Sequence, residues 1–311
     1  MSAHFDVVRR FAVEQQSVRG QYVRLGPAWL ALREHADYPL AVRLALAQAT
    51  AASVLLASTL KFDGELTLQM QGDGPLRLLV AQCTHDFHIR AVARFDRDRL
   101  GSLERADFAA LLGLGQVVVT VEAEASSARY QGIVPLDGAS LSAALERYFE
   151  QSEQLPTALS LAADDAGATG LLVQRMPQAG GIGSESSSEL VQREAAAWDS
   201  FARARVALAG IGEDELLARP ASELMQRAFP ERDLRLFDAH PVTFRCRCSA
   251  ERVTHVLRSL GREEVESILA EQGAVTITCE FCHRPWRFDA IDVPAVFGSA
   301  ADSPPSSEVV N

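Results

Sequence analysis

The sequence predicts an α+β protein. A large N-terminal sheet-and-helix domain spans residues 1–178, a helical linker 179–240 and a small C-terminal four-cysteine zinc-binding domain 241–292, with a disordered tail at 293–311. Three observations carry that division. Strand-like alternation recurs on both sides of one long, alanine-rich apolar segment in the first block. The stretch Pro177 to Ser188, PQAGGIGSESSS, has the composition of a linker. Four of the five cysteines then fall in the last quarter of the 311 residues as two close pairs, and the length itself suits two domains with a connector.

In chain order, alternation marks strands at Phe5–Phe11 and Gly20–Leu25. Tyr38–Leu60 has helical character, with Pro39 near its start. Its uncharged run Leu44–Leu60 holds Gln48, Thr50, Ser53, Ser58 and Thr59, too much polarity over too short a length for a membrane span, so it reads as a core helix. Strands follow at Glu65–Met70, Leu76–Gln82, Ile89–Phe95, Val117–Glu122 and Tyr130–Val134, with a turn at Gln71–Pro75. A helix at Leu141–Glu150 and strands at Ala158–Ala162 and Leu171–Met176 close the block. That order gives a large antiparallel or mixed sheet with helices beside it.

Glu189 to about His240 reads as short amphipathic helices with apolar Leu190, Trp198, Phe201, Leu208, Leu216, Leu224, Met225 and Phe229. Such a segment is too thin for its own core and must pack on something or stay marginally folded. Beyond it, helices at Ser249–Arg258 and Arg262–Glu271 break at Gly261, strands lie at Val275–Thr278 and Trp286–Phe288, and Gly298–Asn311 is a Ser/Pro-rich tail.

Cys246-Arg-Cys248 and Cys279-Glu-Phe-Cys282 suit a tetrahedral metal, each pair clamping one edge while the intervening segment folds back. Four thiolates leave no open position, which marks a structural zinc site. About fifty residues bury too little apolar surface to be secure alone, and such modules need a metal or disulfides. Each pair is also close enough for a local disulfide, that of Cys246 and Cys248 strained by its two-residue step. Arg245, Arg247 and Arg284 flank the sulfurs and would favour thiolate, hence reactivity towards oxidants.

The rival readings fit less well. Formal net charge is −11, which opposes nucleic acid or an anionic membrane as partner. Residues 241–292 carry seven arginines against eight carboxylates, unlike a nucleic-acid-binding zinc ribbon. Cys279–His283 matches the C-x-x-C-H haem-attachment pattern, but MSAHFDVVRR shows no export signal and a second cysteine pair stands ready, so His283 reads as an exposed turn residue. A C-x-x-C oxidoreductase would need a βαβ context. Cys83 reads as a small buried residue, and His85 and His88 beside it lack a third ligand; His240 and His255 are not needed at a site four thiolates fill. Asp164-Asp165 reads as a solvated turn. No phosphate loop or nucleophile elbow is present, so the chain reads as a non-enzyme without ATP use, in the cytosol, where thiols stay reduced.

Several runs carry a family resemblance. They are Leu60-Lys61-Phe62-Asp63-Gly64, Leu68–Leu76 (LQMQGDGPL), Tyr130-Gln131-Gly132-Ile133-Val134 and Tyr148–Thr157 (YFEQSEQLPT) in the first block. In the last they are Phe244–Ser249 (FRCRCS) with Glu251-Arg252, Leu260–Glu264 (LGREE) and Thr278–Cys282 (TCEFC). From about Tyr22 to Asp289 the chain resembles the bacterial 33-kilodalton heat-shock proteins, redox-regulated holdase chaperones. Cys83 and His283 depart from the family pattern without touching a ligand. The resemblance implies that Cys246, Cys248, Cys279 and Cys282 hold one Zn2+ in the reduced state and keep the linker docked. Oxidation would pair Cys246 with Cys248 and Cys279 with Cys282, expel zinc and unfold the linker. The exposed surface would bind unfolded clients without ATP, with homodimerisation on activation and later transfer to ATP-dependent foldases. The alternative is a constitutive zinc-stapled module binding nucleic acid or protein without redox control.

Overall fold

Two sheets clasp one apolar helix. The computed structural model describes residues 5–14, 16–101, 108–123, 129–137, 140–177, 187–230 and 233–298. The chain divides into two compact units, Met1–Arg245 and Cys246–Asn311. The fold is α+β, as the sequence leads one to expect.

The first unit begins with β1 (Val7–Val13), β2 (Val18–Leu25), α1 (Pro27–Arg33) and α2 (Leu40–Thr59). Then come β3 (Gly64–Gly72), β4 (Leu76–Thr84), β5 (His88–Phe95), α3 (Arg97–Leu100), α4 (Phe108–Leu112), β6 (Leu114–Ala123) and β7 (Arg129–Asp137). After α5 (Leu141–Ser152), β8 (Thr157–Ala163) and β9 (Ala168–Arg175) come three linker helices, α6 (Ser187–Ala209), α7 (Glu213–Ala218) and α8 (Ala221–Ala228). Strands β10 (Leu234–Pro241) and β11 (Thr243–Phe244) end the unit. One sheet has the order β10-β1-β2-β9-β8 and the other β11-β5-β4-β3-β6-β7.

Helix α2 is apolar all round, which demands burial on every side. It packs against β2, β8 and β9 of the five-stranded sheet and against β3, β4 and β5 of the six-stranded one. Among the described residues it is the one helix long and apolar enough to cross a membrane, yet 78% of that stretch is buried within the protein. Its hydroxyls are satisfied locally: Thr50, Ser53 and Ser58 donate to the carbonyls of Leu46, Thr50 and Leu55 at 2.7, 2.8 and 2.7 Å.

The outer face of the five-stranded sheet is covered by the linker. Phe201, Ala204, Leu208, Leu216, Leu224, Met225 and Phe229 pack onto Phe11, Val13, Val18, Tyr22, Leu171 and Val173, forming a second core separate from that around α2. Phe11 meets Phe229 edge to face at 5.9 Å between ring centres. Arg175 pairs with Glu194 and lies 4.3 Å from the Trp198 ring centre, and Arg24 donates to the carbonyl of Leu217. The apolar stripe read from the linker sequence thus has its partner, except that Trp198 stays 46% exposed. The side chain of Leu190, residues 178–186 and residues 299–311 lie outside the described set.

Several elements differ from expectation. A helix at Pro27–Arg33 has no counterpart in the sequence reading. Another, at Val293–Phe297, lies inside the stretch read as a disordered tail, where Val293 and Val296 bury themselves in the second unit's core. The third is a strand. Leu234–Pro241, read as the end of a helical segment, is an edge strand antiparallel to β1, Leu234 opposite Val13 and Pro241 opposite Val7. A register shift between Arg9 and Phe11 breaks its alternation. Close approach also explains Gly20 on β2: a Cβ there would sit 2.1 Å from Phe11 Cζ and 2.7 Å from the Leu172 carbonyl oxygen. Phe11 is 1% exposed and has nowhere to go. Gly20→Ala should therefore lower stability by about 1–3 kcal/mol, read as a lower melting temperature; an unchanged midpoint would refute this packing.

The second unit holds α9 (Ala250–Leu260), α10 (Arg262–Gln272), the hairpin β12 (Val275–Thr278) with β13 (Pro285–Phe288), and α11 (Val293–Phe297). Its core is small: Leu257, Val265, Leu269, Val275, Val293 and Val296, with Ile268, Ile277, Phe288 and Phe297 partly buried against it.

Candidate metal centre

The hairpin and the start of α9 build the site. Between β12 and β13 the chain turns through Cys279–Arg284: Cys279 N–H donates to the Arg284 carbonyl at 3.0 Å, and His283 N–H to the Cys279 carbonyl at 2.8 Å. His283 has a φ of 51°, the left-handed region that histidine enters more readily than most residues. It is exposed, the turn residue that its sequence suggests. The first pair lies just ahead of α9, whose N-cap Ser249 accepts from the Arg252 N–H at 3.3 Å.

Both halves converge. One sulfur from each of Cys246, Cys248, Cys279 and Cys282 lies within 4.8 Å of every other, all four half-buried. Cys246 Sγ is 3.6 Å from Cys279 Sγ, and Cys248 Sγ is 3.6 Å from Cys282 Sγ. A tetrahedron of sulfurs about 2.3 Å from a central zinc has edges of ~3.8 Å, so spacing and ligand type both fit that metal. The four side chains could hold one metal ion with no position left open. Among the described residues this is the one group of cysteine, histidine and carboxylate side chains so arranged.

Burial pushes the Cys246 thiol up, as it does that of Cys282. Burial acts on Cys279 too, but the backbone N–H groups of Cys282 and Phe281 outweigh it and hold this thiol below its ordinary value. The sequence suggested guanidinium groups as the source of thiolate character. The structure assigns that role chiefly to backbone amides, because Arg284 lies over the Trp286 ring, 4.4 Å from its centre, and Arg245 Nη1 donates to His88 Nε2 at 3.2 Å. Turn amides carry no mark in a residue pattern, so the sequence does not display this source. Metal must displace protons from thiols held high, so affinity rises with pH. With two such thiols the gain is on the order of a hundredfold per pH unit across neutrality. Zinc competition against a chelator at several pH values checks this, and a flat profile would rule out thiol ligands.

The remaining singled-out residues stay outside the cluster. Cys83, on β4, is 0% exposed, donates to the Thr84 carbonyl at 3.4 Å, and has its thiol pushed far up by burial and then by Asp86 and Glu65. His85 lies 3.1 Å from Asp63, His88 Nδ1 is 2.6 Å from Thr243 Oγ1, and the His240 ring lies 5.5 Å from that of Phe87, tilted by 43°. Asp164 closes a turn by accepting from the N–H groups of Ala166 and Gly167 at 2.8 Å each, while Asp165 pairs with Arg33 and Arg43.

Residues 6–289 match the Hsp33 protein family. The 33 kDa chaperonin of Nitrosococcus oceani is 39% identical over 302 residues, covering 97% of this chain and 98% of that protein. That of Methylobacillus flagellatus is 40% identical over 293 residues, 94% of each. The 33 kDa chaperonin of Escherichia coli is 36% identical, covering 96% of this chain and 98% of that one. In fold, the chain is similar to the crystal structure of the 33 kDa chaperonin, a heat shock protein 33 homolog, from Thermotoga maritima. The TM-score is 0.77 at 20% identity, over 94% of this chain and 97% of that one.

Proposed function

The chain belongs to the Hsp33 protein family, a family of chaperones, and from that premise we propose that it is a redox-regulated holdase that works without ATP. The observation that carries the reading is the convergence of four sulfurs in a unit with so small a core. Bound there, zinc would hold the thiolates deprotonated and supply on the order of 10–16 kcal/mol of apparent binding free energy to a fold that has little else. Cys246, Cys248, Cys279 and Cys282 are its ligands in the reduced state.

Under hypochlorite, or peroxide with heat, each adjacent pair gives up two electrons and closes as Cys246–Cys248 and Cys279–Cys282. No thiolate is then left for the metal. The second unit loses its fold, and α6–α8 release the outer face of the five-stranded sheet. Phe11, Tyr22 and the apolar side of the linker itself become available to unfolded proteins. The activated protein dimerises, holds its clients in the cytoplasm, and passes them to ATP-driven foldases once the disulfides are reduced. No catalytic step is needed; the protein acts stoichiometrically.

Zinc content, free thiols and suppression of client aggregation, measured before and after hypochlorite, test the reading together. Loss of zinc with two disulfides and a gain of holdase activity is the expected result. Activity indifferent to oxidation would instead make the cysteines a staple and the protein a constitutive binding module.

A further inference from the structure

The face of the five-stranded sheet turned towards α2 is apolar except at one corner. Arg235 of β10 stands opposite Ala12 of β1, and Ala12 opposite Arg19 of β2; on the same face, two residues along, Arg10 stands opposite Gln21. Arg10 is thus the diagonal neighbour of both Arg19 and Arg235, a separation that long side chains bridge. The guanidinium carbons of Arg10 and Arg235 lie 5.9 and 5.2 Å from the centre of the Phe237 ring, which is 38% exposed at the β10 bulge. Arg19 donates through Nε and Nη2 to Gln174 Oε1 at 3.3 and 3.1 Å. Among the described residues no carboxylate pairs with any of the three.

That grouping is costly on its own. Burial, and then the charge of Arg10, push the Arg19 guanidinium down from its ordinary value, while the chain as a whole carries a net charge of −11. The acids nearest along the two strands, Glu14 and Asp233, whose backbones are bonded to each other at 2.9 Å, and Asp238 make no ion pair with the three. Arg10 also lines a cleft of about 330 Å³ with Leu60, Phe62, His85 and His240. Asp86, the one acid on its wall, is already bonded to Thr84 and His88. Like charges held together, with Arg10 at the rim of that cleft and Arg19 partly desolvated, attract an anion.

We propose that this corner binds an oligophosphate anion through Arg10, Arg19 and Arg235. Guanidinium forks match phosphate oxygens in pairs. Arg235 and Arg19 stand two strands apart, ~10 Å, which suits several linked phosphates better than one. The proposal does not depend on the holdase reading, and its test uses no chaperone readout.

Reduced, zinc-loaded full-length protein is titrated by calorimetry with inorganic tripolyphosphate and, separately, with adenosine triphosphate in a phosphate-free buffer. Saturable one-to-one binding that weakens with added salt is expected. Arg10 and Arg235 are exposed, so an Arg10→Gln/Arg235→Gln variant should keep its melting temperature while losing at least tenfold in affinity for both ligands. Equal affinity for the two ligands would assign binding to the phosphate chain, and tighter nucleotide binding would add stacking of the base at Phe237. Absence of saturable binding to either ligand, or undiminished affinity in the variant, overturns the proposal.

Discussion

Stripping metal from the four-sulfur cluster is expected to unfold Cys246–Phe297 and leave both sheets of the first unit intact. The second unit's core cluster has six buried apolar side chains, none larger than leucine. So small a core leaves a unit of some fifty residues marginal by itself, and the metal supplies what it lacks. Amide exchange in the presence of a strong zinc chelator reads the result directly. Protection in α9, α10 and β12 should vanish while that in β2, β4 and β9 persists. Should α9 and α10 stay protected without metal, the cluster would not be what holds this unit, and the proposed switch would lose its lever.

Truncating the linker's grip should switch the protein on without an oxidant. Phe201 is 3% exposed and packs in the layer between α6–α8 and the five-stranded sheet. Phe201→Ala removes its burial and leaves a cavity, about 3–5 kcal/mol in well-packed cores. A layer of one 23-residue helix and two short ones, held by one apolar stripe, has little more than that to spare. Expected are rapid amide exchange across α6–α8, retained zinc, and suppression of client aggregation under reducing conditions. Trp198→Ala, at a side chain 46% exposed, should do much less. If Phe201→Ala frees α6–α8 to exchange and the protein still stays inert, linker docking does not restrain activity.

The cysteine spacing was sufficient to pick out the four side chains that the structure brings together, because two close pairs in an otherwise thin module admit few arrangements. The central helix was equally plain, since α2 shows no polar face to confuse its reading. Failures came where the determinant lies far along the chain. β10 follows three helices and its alternation is broken by the bulge opposite Arg10, while β1, with which it pairs, lies more than two hundred residues earlier. α1 went unseen for a similar reason: its first amides are capped by Asp6, whose carboxylate accepts from Gly26 and Ala28 N–H at 2.8 and 2.9 Å. That burial pushes the Asp6 carboxyl up even as the amides pull it down.

Cys83 gives the first unit a built-in gauge of its own integrity. Sealed at 0% exposure on β4, with its thiol pushed far from ionisation, it reacts only when the strands around it part. In metal-free native protein an alkylating reagent should therefore count four thiols, and the fifth should appear at the rate of core opening. Slow labelling of Cys83 during oxidative activation would certify that the scaffold beneath the linker stays closed. Prompt labelling would reveal that activation reaches into the sandwich itself.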